Sequence, residues 1–134
     1  MLRPLARDME DQTAFSEKRT KQILGEFLAS AGWEPQIGWG PSHGVDIEAK
    51  RGAARWVIEV KVPEPPTMVV EAFVSVLGKI LQRMHDPGSK YSIAVPDAEP
   101  FHRLWERLPI LVKKRVGITA LFVSSSGKVT ERTE

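Results

Sequence analysis

The sequence contains no cysteine. Disulfides, thiolate zinc sites and cysteine nucleophiles are therefore excluded, and the chain suits a reducing compartment. No apolar run approaches the roughly 20 residues of a membrane span. The opening residues, MLRPLARDMEDQ, carry both signs of charge and no apolar stretch, so no secretory signal is read there. The expectation is a cytoplasmic protein with no membrane association. Internal repeats and low-complexity segments are absent. Charge of either sign is in little excess: 19 basic against 17 acidic residues leave +2. With a pI near 9.0 this points only weakly to an anionic partner.

What the chain has is the composition of one globular domain: 134 residues, 42% hydrophobic and 27% charged, long enough to bury a core without staples. The first dozen residues, 1–12, are polar and expected to be loose. The single domain is expected over 13–134. From Thr13, the residues Ile23, Leu24, Phe27, Leu28 and Ala31 recur at helical spacing, with Gly32 as the stop. Residues 34–40 suggest a short strand. Two β-branched runs, VDIEAK and RWVIEVKV, flank RGAA and end at Pro63, Pro65 and Pro66. Thr67 is placed to cap a second helix, whose apolar stripe runs from Val70 through Phe73, Val74, Leu77, Ile80 and Leu81 to Met84. The turn DPGS closes it. YSIAV and GITALFV read as buried strands on either side of a helix or helix pair, and SSSGKV as a turn before a possible edge strand. The order α, β, β, β, α, β, α, β implies an α/β fold with a mixed sheet flanked by helices.

The stretch HGVDIEAKRGAARWVIEVKV holds three carboxylates and a lysine in apolar strands. Alternation puts Trp56, Ile58, Val60 and Val62 on one face and Val57, Glu59 and Lys61 on the other. It pairs Asp46 with Glu48 and Val45 with Ile47. A turn at Gly52-Ala53, or a four-residue loop from Arg51 to Ala54, sets Lys50 opposite Arg55 and Asp46 opposite Glu59. Opposed Cβ atoms lie about 5 Å apart, so the two carboxylates repel and the pairing should destabilise the hairpin. A divalent cation between them reverses that sign. Two carboxylates and a lysine are the minimum kit for metal-assisted phosphodiester hydrolysis: hard oxygens for Mg²⁺, a bound water made more acidic, and an ammonium to orient it or to stabilise phosphate charge. The alternative is a hairpin with one solvated, charged face.

Glu17 lies one heptad before Leu24, within the apolar stripe of the first helix, where an acid needs a partner. Lys18, Arg19, Gln22 and Glu26 lie off it. Glu17 equally suits a capping role in the first turn. His43, His85 and His102 lack metal-ligand spacing; His43, beside Gly44, is nearest the candidate site. Lys113, Lys114 and Arg115 are candidate phosphate contacts, or a solvated helix end favoured by the dipole. Arg51 and Arg55 flank the hairpin tip and can reach a nucleic-acid backbone. Trp39 and Trp56 are either base-stacking residues or packing residues.

The segment GVDIEA, a turn and WVIEVK, after a helix with an early glutamate, resembles the PD-(D/E)xK nuclease superfamily. The helix ending in Gly32-Trp33 and the S-x-G-x-D segment from Ser42 to Asp46 make it most similar to Holliday-junction-resolvase-like and Mrr-like members. The resemblance covers roughly residues 13–95. It departs at Val45, where proline is common, and at the PEPP segment after Lys61. It implies a restriction-endonuclease-like α-β-β-β-α-β core with a C-terminal α-β extension. It further implies Asp46, Glu59 and the Val60 carbonyl as ligands of Mg²⁺ (or Mn²⁺), Lys61 as the catalytic lysine and Glu17 as the helix-borne glutamate. The expected activity is a nuclease cutting DNA, branched or duplex, to leave a 5′-phosphate. Ser42, His43, Arg51, Arg55, Lys113 and Lys114 are the expected contacts to DNA. Members that keep the fold without catalysis make a silent nucleic-acid-binding or assembly module the second expectation. The apolar helix over 69–84 can support a homodimer, and a purely structural oligomerisation domain is the third.

Overall fold

A computed structural model describes residues 17–40 and 44–134. The first helix, α1 (Glu17–Ser30), buries Ile23, Leu24 and Leu28. It stops at Gly32, whose φ of 86° only glycine adopts freely. The Gly32 amide donates to the Ala29 carbonyl and the Trp33 amide to that of Leu28, closing the last turn in a Schellman motif. Three antiparallel strands follow: β1 (Glu34–Ile37), β2 (Ile47–Arg51) and β3 (Ala54–Val60). The β2–β3 turn uses Gly52 at φ 59°, the first central position of a two-residue hairpin. Its register is the expected one, with Lys50 opposite Arg55 and Ile47 opposite Ile58.

The chain then crosses over through α2 (Val69–Leu81) to β4 (Lys90–Pro96), which lies parallel to β3. Thr67 does not cap α2: the N-cap residue is Met68, and no side chain bonds the free amides there. A second crossover, through α3 (Glu99–Arg107) and α4 (Ile110–Val116), leads to parallel β5 (Ile118–Val123), and β6 (Val129–Arg132) closes the edge antiparallel. The helix pair is divided by Pro109, which cannot supply an interior amide. The α-β-β-β-α-β core is present, and the extension after it comprises two helices and two strands. Strand order across the six-stranded mixed sheet is β1-β2-β3-β4-β5-β6.

Each face of the sheet carries its own core. On one face α1 packs Leu24 and Leu28 against Ile47, Trp56, Ile58, Val60 and Leu121. On the other, α2 and α3 cover Val57, Ile93, Val95, Ala120 and Phe122 with Phe73, Val76, Phe101 and Trp105. A polar line crosses the α1 side: Trp56 Nε1 donates to Ser92 Oγ, Ser92 bonds Thr119, and Thr119 Oγ1 donates to Glu131 Oε2. Trp56 is thereby a core residue, edge-on to Phe27 and Trp33. No helix among the described residues is long and apolar enough to cross a membrane.

Candidate functional site

The site forms where β2 begins and β3 ends. Asp46 and Glu59 are each 1% exposed, so neither carboxylate is solvated. They are tied to one another through the backbone. The Asp46 amide donates to Glu59 Oε2 at 2.7 Å, and the Val60 amide donates to Asp46 Oδ2 at 2.8 Å. On its other side the Asp46 carbonyl accepts from the Gly38 amide at 2.8 Å. Asp46 thus sits between the ends of β1 and β3, one residue before β2 proper. Strict alternation fails there: Val45 packs with the α2-side core while Ile47 belongs to the α1 side.

Three cations from the two helix layers converge on the pair. Lys21 of α1, itself 3% exposed, places Nζ 3.4 Å from Asp46 Oδ1 and also donates to the Gly38 carbonyl. Lys79 of α2 approaches Asp46 Oδ2 at 3.9 Å. Arg83, just beyond α2, sets Nε 3.3 Å from Glu59 Oε1 and donates from NH2 to the Gly44 carbonyl at 2.8 Å. These contacts offset the repulsion expected between the carboxylates. Burial nevertheless dominates at Glu59. Desolvation, with the neighbouring Asp46 charge, pushes its carboxyl above the ordinary range, against the lowering effect of the Asp46 amide and Arg83.

Lys61 follows Glu59 on the same face by alternation. Its amide extends the β3–β4 ladder to the Ala94 carbonyl at 3.0 Å. It is half-buried, and among the described residues its ammonium has no ion-pair partner. Glu17 does not join the carboxylates: among the described residues no group of three acidic or histidine side chains forms. Glu17 instead lines a cavity of about 360 Å³ with Lys18, Lys21, Trp39 and Gly40.

The remaining expected contacts lie elsewhere. Ser42 and His43 fall outside the described residues, as does Thr13. Arg51 lies over Trp33, 4.4 Å from the ring centroid, and donates to the Ala31 carbonyl. Arg55 pairs with Glu48 at 2.9 Å, and this holds the Glu48 carboxyl below its ordinary range. Both arginines sit at the hairpin tip, away from the Asp46 end. Lys113 is buried against Trp105, 4.6 Å from the ring centroid, while Lys114 beside it is exposed. Of the histidines, His102 stacks on Phe122 and bonds Asp97.

Sequence reading missed Lys21 and Arg83. Lys21 had a signal: it stands four residues after Glu17 and three before Leu24, on the same buried stripe. Arg83 lies past the last turn of its helix, where a basic residue ordinarily faces water.

No protein-family model matches the sequence, and no curated relative matches it. Solved structures do. A XisH family protein from Nostoc punctiforme PCC 73102 superposes with a TM-score of 0.57 at 19% identity, covering 83% of this chain and 95% of that one. An fdxN element excision controlling factor protein from Anabaena variabilis gives 0.56 at 16% identity, with the same coverage. The chain shares their fold.

Proposed function

We propose that this chain is a metal-dependent nuclease that hydrolyses phosphodiester bonds in DNA. One observation carries the reading: two buried carboxylates, Asp46 and Glu59, are held side by side at the C-terminal end of β3, and Lys61, which has no ion-pair partner among the described residues, follows on the same face. The fold shared with an excision controlling factor agrees with a role on DNA.

The donor set suits a hard divalent cation. Each carboxylate oxygen accepts in about two directions, and Glu59 is engaged once at each oxygen, by the Asp46 amide and by Arg83. Two protein carboxylates, with the Val60 carbonyl as the further ligand that the resemblance implies, suit Mg²⁺ or Mn²⁺, which keep several of their waters. When bound, such an ion supplies an acidified water and neutralises charge on the phosphate. The chain's own residues do the rest. The Asp46 and Val60 amides fix the two carboxylates before substrate arrives, so the carboxylates themselves need not reorient on binding. Lys61 orients the attacking water or stabilises charge on the scissile phosphate. Lys79 and Arg83, each about one-third exposed on long side chains, offset the carboxylates in the absence of metal and are free to turn to the DNA backbone.

The reading includes a homodimer. Val70, Val74 and Leu81 are strongly exposed on α2, and Leu77, partly packed on the core, completes a 4-3-4 spacing with them. That seam is uncharged and coiled-coil-like, so a second copy of the same seam suits it, and two sites serve two DNA strands.

The test is cleavage of branched, duplex and single-stranded DNA with Mg²⁺ or Mn²⁺. Equal behaviour of wild type and Lys61→Ala on every substrate would sink the catalytic claim. The second reading, a silent DNA-binding or assembly module, is favoured by the three cations already paired with the carboxylates. Metal titration separates the two. A ligand at about 100 times its Kd adds about 2.7 kcal/mol of stability, so an active site gains melting temperature with Mn²⁺ and loses the gain in Asp46→Asn. A silent site shows no gain in either.

A further inference from the structure

Of the four tryptophans, Trp33, Trp56 and Trp105 are buried, whereas Trp39 is 51% exposed. Among the described residues its ring has no aromatic or cation partner. It stands two residues past the end of β1 and forms one wall of the 360 Å³ cavity, facing the first turns of α1. That volume lies within the range of ligand sites. Lys18 and Lys21 line the same cavity, and Lys21 is the residue whose ammonium reaches Asp46 Oδ1. The cavity and the carboxylate pair therefore share a wall.

A half-exposed indole beside exposed ammonium charge is the chemistry that holds single-stranded nucleic acid: a base stacks on the ring, and lysine meets its phosphate. A base within a duplex has both faces stacked on its neighbours and cannot offer one. We propose that this cavity receives an unpaired nucleobase stacked on Trp39, next to the phosphodiester to be cut at the Asp46–Glu59 site. The preferred substrate is then DNA with a single-stranded or extruded nucleotide at the point of cutting. This rests on the nuclease reading and narrows it. Glu17 limits the positive charge of the cavity, so the ring and Lys18 carry the affinity.

The experiment is a titration of the full chain in EDTA with a single-stranded oligonucleotide and with its duplex, read by tryptophan fluorescence and by anisotropy of a labelled strand. The single strand is expected to quench Trp39 emission and to bind about tenfold more tightly than the duplex. Trp39→Ala is expected to lose the quench and about tenfold in single-strand affinity, with duplex affinity and melting temperature unchanged. Trp39→Phe is expected to restore affinity without the emission change. Absence of a quench, equal quenching by duplex, or full single-strand affinity in Trp39→Ala overturns the proposal. Cleavage with Mn²⁺ is scored separately. A chain that cuts while Trp39→Ala binds normally keeps the nuclease reading and loses this one. A chain that stacks a base but never cuts does the reverse.

Discussion

Asp46 and Glu59 hold each other by their peptide groups: the Asp46 amide bonds the Glu59 carboxylate, and the Asp46 carboxylate bonds the amide that follows Glu59. Two like charges are thus kept adjacent by neutral donors. The remaining imbalance is met by Lys21, Lys79 and Arg83.

Lys21 is the only one of those cations that is buried, and this sets the first expectation. Asp46→Ala leaves its ammonium without a carboxylate and the Val60 amide without an acceptor. Breaking a buried pair this way costs about 3–5 kcal/mol, measurable by urea denaturation. Adding Lys21→Met should return most of the loss, because no unpaired buried charge remains. A double variant no more stable than Asp46→Ala would show that the pair is not its source.

Glu59 sets a pH dependence. Its folded-state pKa is raised above the ordinary 4.5 by burial, so its neutral form favours the fold. That contribution is complete below 4.5 and is lost as pH rises through the folded value. Glu48, held low by Arg55, acts in the opposite sense, so the difference between wild type and Glu59→Gln is the quantity to follow. The variant should gain on wild type as pH rises from 4 to 7. A constant difference across that range would contradict the assignment.

Lys61→Ala should separate function from stability. With no ion pair to lose, its unfolding free energy should stay within about 0.5 kcal/mol of wild type, while cleavage falls on the order of 100-fold. A comparable loss of stability would mean that the lysine is structural.

Lys113 offers a test remote from the site. Burial lowers its pKa below 10.5, against the attraction of the Trp105 ring, so the charged form is disfavoured in the fold. Lys113→Met should therefore stabilise the protein at pH 7. The gain should shrink as pH rises through the lowered folded value and vanish only above 10.5, where the side chain is neutral in both states. Melting curves at pH 7 and near pH 10 report both.

The hairpin was the most legible part of the chain. Gly52 at the turn and period-two apolar residues leave a single register, and beyond its last pair, Ile47 with Ile58, the Asp46 amide meets the Glu59 carboxylate. The element order was equally readable, because each helix carries its stripe and each strand is bounded by glycine or proline. Less visible was anything that depends on residues far apart meeting. Arg83 is 24 residues from Glu59, and no local pattern connects them. Lys113 looked like part of a solvated run because its burial is decided by Trp105 on another helix. The switch of face at Val45 is likewise set by packing against the α2-side core.

Strand order in this sheet equals chain order from β1 to β6. During synthesis each new strand therefore needs to find only the one made just before it, and loop-closing costs stay small. By the time β4 has emerged, Lys21, Asp46, Glu59, Lys61, Lys79 and Arg83 have all been made, and the strand that supports them is paired on both sides. The far half of the sheet joins a centre whose charged groups are already in the chain.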